Sequence, residues 1–165
     1  QVGDKGFLLS LDAEKIVVID TKKENNLIIH FTKTLPKDLS GLLMAKVDTT
    51  KRSRTEANHT ATHLLHQALR HVLGTHVEQK GSMVNHDHLR FDFSHFSKLT
   101  SEELTKVEHF VNSRIQEQIT LHEQRDLTYD EAIDECAIAL FGEKFGDSVR
   151  AIKFGNSMGF VVELM

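Results

Sequence analysis

The stretch RTEANHTATHLLHQALRHVLG, residues 54–74, has the periodicity of one long amphipathic helix and divides the chain into two kinds of sequence. At about 100° per residue, its apolar side chains group on one face: Ala61, Leu64, Leu65, Ala68, Leu69 and Val72. The opposite face carries a polar stripe: His59, His63, His66 and Arg70. Ser53 and Glu56 have capping-box spacing, which predicts a helix that begins near Arg54 and ends at Gly74.

Residues 1–50 consist of short β-rich runs separated by polar breaks. The runs are GFLLSL, KIVVID, NLIIHFT and LLMAKVD. Short strands at this spacing are typical of a small barrel or sandwich. We therefore predict a β-barrel subdomain over residues 1–50.

A second helix is predicted over residues 101–118, because Thr100 and Glu103 have the spacing of a capping box. Its apolar positions recur with the period of a core-facing stripe. We expect these side chains to pack in the core: Leu104, Val107, Val111, Ile115 and Ile119.

The remaining sequence mixes a shorter helix with strands. Thr128 and Glu131 predict a helix over residues 129–140. Strand-like runs lie between and after the helices: HVEQKGSMV, LRFDFSH, ITLHEQ, SVRAIKF and GFVVEL. The expected fold class is α+β, with the N-terminal barrel followed by an α+β domain, residues 51–165, whose helices pack on a mostly antiparallel sheet.

The composition is that of a folded globular protein, with 39% apolar and 27% charged residues in a chain of 165. No apolar run approaches the roughly 20 residues that a membrane helix needs, and the N-terminal QVGDKGFLLS lacks the basic head of a signal peptide. The one cysteine, Cys136, cannot form an internal disulfide, which agrees with a reducing compartment. We expect a cytoplasmic protein with no membrane partner.

The net charge of −4 argues against a surface built mainly to grip a phosphate backbone. A nucleic-acid contact would therefore be local. One candidate lies in KVDTTKRSR, residues 46–54, which brings together Lys51, Arg52 and Arg54. The alternative for such a cluster is a solvated loop.

His59 and His63 lie four positions apart, so a helix would place both imidazoles on one side, within reach of a single Zn²⁺. The spacing alone is weak evidence, because eleven histidines in 165 residues give roughly 0.7 such pairs by chance. The alternative is a polar helix face with titratable imidazoles.

The sequence around His59 and His63 is more specific evidence than their spacing. The ungapped run RSRTEANHTATHLLHQALRHVLGTHVEQKGSMVNHDHLRFDFSHF, residues 52–96, closely resembles the editing domain of alanyl-tRNA synthetases. LFGEKFGDSVRAIKFG, residues 140–155, continues the resemblance, and QVGDKG at the start is similar to the end of a glycine-rich segment of that family. The editing domains of threonyl-tRNA synthetases share the histidine helix but differ at LRFDF. Free-standing alanyl-tRNA deacylases are also related.

The resemblance implies a zinc-dependent hydrolase inside a ligase. Such a domain cuts the ester between a wrong amino acid, serine or glycine, and the 3′ end of tRNA for alanine. The implied partners are the aminoacylated end of that tRNA and the rest of the synthetase chain. His59 and His63 match the H-x-x-x-H pair of the family's metal ligands.

The family's second ligand pair, from a C-x-x-x-H segment, has no match here. VVELM ends at Met165, where the cysteine would stand, and a thioether binds zinc poorly. Cys136 matches no ligand position and is expected to be a small buried side chain. We therefore expect an editing domain truncated at its C-terminal end with an incomplete zinc site. The alternative is a catalytically inert module that contacts tRNA or other domains.

Two residues are candidates for catalysis. Gln79 matches the glutamine of the family's V-x-Q-x-G-S, and its amide could orient water or read the serine hydroxyl. Asp92 alternates with Phe91 and Phe93, so it belongs to the other sheet face and could hold the N–H of a metal-bound imidazole. The alternatives are a solvated strand glutamine and an ion pair of Asp92 with Arg90 or another basic residue.

Selection of serine over alanine requires polar groups committed to the extra hydroxyl, because alanine then leaves them unpaired. The candidates for substrate binding, besides Gln79, are Thr60, Thr62 and Ser82. The alternative for the two threonines is that they are helix-surface residues.

Overall fold

The computed structural model describes residues 2–25, 27–128, 131, 149–154 and 161–164. Within these ranges the element order alternates short strands with two helices. The elements are β1 Gly6–Ser10, β2 Lys15–Glu24, β3 Leu27–Thr32, β4 Leu43–Val47, α1 Thr49–Leu73, β5 Gln79–Val84, β6 Leu89–Phe93, α2 Ser101–Gln116, β7 Leu121–Leu127, β8 Val149–Phe154 and β9 Val161–Leu164. The predicted α+β class is confirmed, and every run named as strand-like in the sequence contributes a strand.

The chain divides into two compact units: Gln1–Thr60 with Met83–Arg90, and Ala61–Ser82 with Phe91–Met165. The first unit holds a four-stranded antiparallel sheet in the order β3-β2-β1-β4. Ile16 and Val18, both on β2, are buried on one face of this sheet. Among the described residues no pairing joins the edge strands β3 and β4, so the predicted N-terminal barrel is not confirmed and the sheet is open.

Helix α1 begins five residues earlier than predicted. The carboxylate of Asp48 accepts a 3.1 Å hydrogen bond from the main-chain N–H of Lys51 and thus caps the helix, and this bond lowers the pKa of Asp48. The main-chain N–H of Asp48 in turn donates to the carbonyl of Lys5 at 2.8 Å. The predicted capping box at Ser53 is therefore wrong, because Glu56 instead accepts from Arg52 on the preceding turn.

The predicted end of α1 is confirmed. Gly74 follows Leu73 with φ of +118°, a conformation that L side chains rarely adopt, and its N–H donates to the carbonyl of Arg70 at 3.0 Å. Arg70 also donates from its guanidinium to the carbonyls of Thr75 and Val77. These bonds hold the turn that leads from the helix into β5.

The core of the second unit lies between α1, α2 and strand β6. Ala68, Leu69, Val77 and Val107 are buried there, and partly buried side chains pack against them: Leu65, Val72, Leu73, Phe91, Phe93, Leu99, Phe110 and Val111. The helices thus pack against Phe91 and Phe93 of β6, which agrees with the prediction that helices pack on a sheet.

Helix α2 confirms its predicted cap but not its whole predicted core face. Thr100 and Glu103 form both bonds of the capping box, and the helix ends at Gln116. Leu104 is 53% exposed and Ile115 is 54% exposed, so these two were wrongly assigned to the core. The helix turns Val107, rather than its neighbours one turn away, most deeply into the core.

The third sheet is antiparallel, with strand order β7-β8-β9. The capping box predicted at Thr128 and Glu131 is confirmed, because the N–H of Thr128 donates to the Glu131 carboxylate at 2.8 Å and the N–H of Glu131 donates to the Thr128 hydroxyl at 3.3 Å. The rest of the predicted helix over residues 129–140, including Cys136, lies outside the described residues, as does Met165. In the described ranges, no helix has the length and apolar character needed to span a bilayer.

Candidate functional site

Helix α1 carries His59 and His63 on successive turns, and both side chains are half-buried. From residue 58 to residue 70, no side chain of α1 is exposed. His66, placed on the polar stripe by the sequence, is only 7% exposed, and its ring centroid lies 5.2 Å from that of Phe91. The helix is therefore enclosed on more than its apolar face, which the amphipathic pattern did not indicate.

Thr62 is also buried, with 4% of its surface exposed, whereas Thr60 is half-buried. The alternative that Thr62 is a helix-surface residue is therefore wrong. Thr62 and His66 are four residues apart, so they are neighbours on one side of α1. A hydroxyl and an imidazole thus lie together in a part of the helix that is shielded from bulk water.

The β5-β6 hairpin positions the other predicted residues. Asp92 is exposed while Phe91 and Phe93 turn into the core, so the predicted alternation along β6 is confirmed. A Cβ built on Gly81 would lie 3.0 Å from a carboxylate oxygen of Asp92. The absent side chain of Gly81 therefore leaves room for this carboxylate.

Gln79 and Ser82 also approach each other on β5. The amide Nε2 of half-buried Gln79 donates to the hydroxyl of exposed Ser82 over 3.4 Å, a long and therefore weak hydrogen bond. Because this hydrogen bond is weak, a ligand could replace it and bind the Gln79 amide at a small cost in free energy. The roles assigned to both residues stay predictions.

The fit of a zinc ion rests on the donor set. Two imidazoles on adjacent helical turns supply nitrogen donors of the kind that zinc prefers. The described part of the chain contains no group of three or more His, Cys, Asp or Glu side chains placed to hold a metal ion. His59 and His63 therefore suit two positions of a zinc site, and within the described residues no third potential ligand is grouped with them.

The basic cluster lies on the first turns of α1, not in a loop. Lys51 is 3.7 Å from the carboxylate of Asp48. Arg52 donates to Glu56 at 2.8 Å and lies 3.5 Å from Asp4, and the hydrogen bond to Glu56 is the main reason that the pKa of Arg52 is raised. Arg54 is exposed. A phosphate would have to displace carboxylates from two of the three predicted nucleic-acid residues.

Two features of this region were missed by the sequence analysis. Asn58 donates from its side chain to the carbonyl of Asn85 at 2.8 Å, and Asn85 accepts from the N–H groups of Asp87 and His88 to close the hairpin turn. An asparagine directly after a strand is a recognised turn signal, so the second half of this motif was detectable. The bond from Asn58 spans 27 residues and has no local signature.

The second missed feature is a histidine pair. His76 Nε2 and His95 Nδ1 are 2.9 Å apart, and the ring of Phe96 stacks on His76 with centroids 4.6 Å apart. These residues follow α1 and β6, respectively. The pair lies 19 residues apart in the sequence, so no spacing rule could have joined them.

Comparison with known proteins identifies close relatives along almost the whole chain. The chain is 69% identical over 158 residues to an alanine–tRNA ligase of Christiangramia forsetii, a match that covers 96% of the chain and 18% of that relative. It is 60% identical over 160 residues to the Bacteroides fragilis alanine–tRNA ligase, covering 97% of the chain and 18% of the relative. It is 56% identical over 165 residues to the Flavobacterium psychrophilum alanine–tRNA ligase, covering 95% of the chain and 19% of the relative.

The chain thus spans less than a fifth of the length of the relatives it matches. No model of a protein family matches it. The resemblance to alanyl-tRNA synthetases inferred from residues 52–96 is confirmed by these identities.

Proposed function

The chain is a close relative of part of the alanine–tRNA ligases, and we propose that it acts in such an enzyme as the editing domain. Its substrate would be tRNA for alanine that carries serine or glycine on its 3′ end, and its partner would be the rest of the ligase chain. The observation that carries the proposal is the position of His59 and His63, half-buried on successive turns of α1 within a run that matches the family's histidine helix.

His59 and His63 would hold the zinc ion through their imidazole nitrogens. When bound, zinc supplies an activated water or polarises the ester carbonyl. Asp92 is the candidate for the carboxylate that fixes the orientation of a ligand imidazole by accepting its N–H. A side chain at position 81 would crowd this carboxylate, and Gly81 supplies none.

The selection of serine would depend on polar groups that meet the substrate hydroxyl. Thr62 is buried, so a hydroxyl group there loses more when its partner is absent than it would in water. Gln79 can both donate and accept, and Ser82 holds its amide only weakly. Alanine, which lacks the hydroxyl, would not make these contacts, and their loss would spare correctly charged tRNA.

In the test, this chain replaces the matching segment of the Christiangramia forsetii ligase. The exchanged enzyme should hydrolyse seryl-tRNA for alanine. Its His59→Ala variant should lose both hydrolysis and one equivalent of zinc per chain, measured by elemental analysis, while aminoacylation is retained. His109→Ala, which changes an exposed histidine of α2, is the matched control. Zinc content and hydrolysis that are unchanged in His59→Ala would remove the proposal.

A second candidate function is a non-catalytic module that contacts tRNA or other domains of the ligase. It is favoured by the lack, within the described residues, of three side chains placed together for a metal. It predicts that the exchanged enzyme aminoacylates tRNA normally but hydrolyses seryl-tRNA no faster than the uncatalysed rate. The same experiment therefore separates the two functions.

A further inference from the structure

The four-stranded sheet of the first unit has one covered face and one exposed face. Ile16 and Val18 of β2 point to the covered face and are 1% and 6% exposed. The residue between them, Val17, is 55% exposed and therefore belongs to the other face. Directly opposite residues on neighbouring strands share a face, so the register identifies the remaining members.

One end of the exposed face centres on Phe7. Phe7 is paired with Val17 on β2 and with Lys46 on β4. Two residues further along β1, the same face carries Lys15 and Met44, both exposed. At this end the paired residues include two lysines and no carboxylate.

The other end of the exposed face centres on Phe31. Thr32 pairs with Val18 on the covered face, so Phe31 points to the exposed one, where it is partly accessible. Lys22 Nζ lies 5.5 Å from the centroid of the Phe31 ring. Lys15 Nζ lies in the same way 4.3 Å from the centroid of Phe7. Each aromatic ring of this face is therefore accompanied by an ammonium group. The register also places two carboxylates at the Phe31 end, those of Asp20, opposite Phe31, and of Glu24.

These lysines differ from the basic residues at the start of α1. Lys51 and Arg52 lie within ion-pair distance of carboxylates. Within the described residues, no such ion pair engages the three lysines of the exposed face: Lys15, Lys22 and Lys46. The charges of Lys15 and Lys46 are thus available to an anionic partner, whereas Lys22 lies on the face between the carboxylates of Asp20 and Glu24. A local patch of this kind is what a chain with a net charge of −4 would need to contact nucleic acid.

We propose that this exposed face binds a single-stranded segment of RNA, with Phe7 and Phe31 stacking on bases and Lys15 and Lys46 contacting phosphates. Sheets that present aromatic side chains among basic ones bind single-stranded RNA in this way, since every base has a face that can stack. A protein partner fits less well, because lysine is depleted from protein–protein interfaces. The inference rests on the proposed function only in taking tRNA as the source of the RNA.

The test measures binding of the 165-residue chain to a fluorescein-labelled single-stranded RNA of about 12 nucleotides, a length within the range of known single-strand sites. Fluorescence anisotropy is recorded between about 50 and 200 mM salt. The double variant Lys15→Gln/Lys46→Gln should weaken binding and lower the slope of log K against log salt by about 0.7 per lysine. The matched control is Lys98→Gln/Lys106→Gln, which removes two exposed lysines from the second unit.

Phe31→Leu provides a second readout. It keeps the side chain apolar but removes the stacking surface, so binding should weaken by about 5-fold or more while the salt slope stays unchanged. Circular dichroism of each variant establishes that the fold is intact. No binding by the parent chain, or equal effects of the two lysine pairs, would overturn the proposal.

Of two further results, the first would overturn the proposal and the second would separate it from the editing proposal. Concentration-dependent self-association that Lys15→Gln/Lys46→Gln abolishes, without RNA binding, would assign the face to a second copy of the chain. RNA binding that passes these tests in an enzyme that hydrolyses no seryl-tRNA would support the RNA face and remove only the editing function.

Discussion

The side-chain nitrogen of Asn58 donates a 2.8 Å hydrogen bond to the main-chain carbonyl oxygen of Asn85. Asn58 stands one residue before the first predicted zinc ligand, and Asn85 opens the turn between β5 and β6. The bond therefore ties the turn of α1 that carries His59 to the hairpin turn, within the first unit.

Asn58→Ala should lower the free energy of unfolding by about 1 kcal/mol, because the partly buried carbonyl of Asn85 loses its side-chain donor. Urea denaturation followed by circular dichroism measures the change. Asn112→Ala, an exposed position of α2, is the control and should be neutral or slightly stabilising, since alanine is the better helix former. Equal midpoints for the two variants would show that the Asn58 bond contributes nothing to stability.

The cap of α2 provides a second prediction. Thr100→Ala removes the hydroxyl that accepts the N–H of Glu103, and it should cost about 1 kcal/mol of unfolding free energy. Thr105→Ala makes the same chemical change inside the helix and should cost less than about 0.5 kcal/mol. Thermal denaturation of both variants tests this difference. A larger loss for Thr105→Ala would contradict the assignment of Thr100 as the cap.

The same cap predicts a pH dependence. Hydrogen bonds from the main-chain N–H and the hydroxyl of Thr100 lower the pKa of Glu103 from its ordinary value of 4.5. A lowered folded-state pKa stabilises the fold above the unfolded-state value, and this stabilisation is lost as the pH falls through the folded-state value. The stability difference between the parent and Glu103→Gln should therefore be largest near neutral pH and shrink below about pH 4.5.

Urea midpoints measured from pH 7 to pH 3 test this dependence. The matched control is Glu108→Gln, which makes the same charge change on an exposed position of α2 away from the cap. A stability difference for Glu103→Gln that grows as the pH falls would show that the sign is wrong.

The corrected core face of α2 predicts unequal effects of two truncations. Val107→Ala removes buried methyl groups and should cost about 2 kcal/mol. Leu104→Ala removes a larger side chain, but one that is 53% exposed, and should cost less than about 0.5 kcal/mol. Chemical denaturation compares the two. A greater loss at Leu104 would restore the core stripe predicted from the sequence.

Thr62→Val tests substrate selection within the proposed editing function. The change replaces a buried hydroxyl with a methyl group of similar size, so hydrolysis of seryl-tRNA should fall about 10-fold. Glycyl-tRNA has no side-chain hydroxyl, and its hydrolysis should change much less. Single-turnover rates on both substrates, with Thr105→Val as the control, measure the ratio. Equal losses on both substrates would exclude Thr62 as the group that reads the hydroxyl.

Part of the candidate site was predictable because it depends on local chemistry. The helical spacing of His59 and His63 and the outward position of Asp92 follow from the periods of the helix and the strand. The contact of Gln79 with Ser82 and the room beside Gly81 depend on how the hairpin is twisted and paired. The positions of these residues in the sequence do not specify such distances.

The sequence by itself determined the strand-forming runs, the end of α1 at Gly74 and the capping boxes at Thr100 and Thr128. Each of these depends on neighbours within a few residues, so the information is local. The cap of α1 at Asp48 is also local, because its carboxylate accepts from the N–H of Lys51 three residues on. Only the tertiary structure decided that the N–H of Asp48 donates to the carbonyl of Lys5 from another part of the chain.

The tertiary structure also decided which polar residues of α1 are buried. A helical period shows which side chains share a face, but not whether a second element covers the face opposite the apolar one. Thr62 and His66 are buried because neighbouring parts of the fold enclose the helix there, with Phe91 against the His66 ring. Enclosure depends on contacts between residues distant in the sequence, and such contacts exist only once the chain has folded.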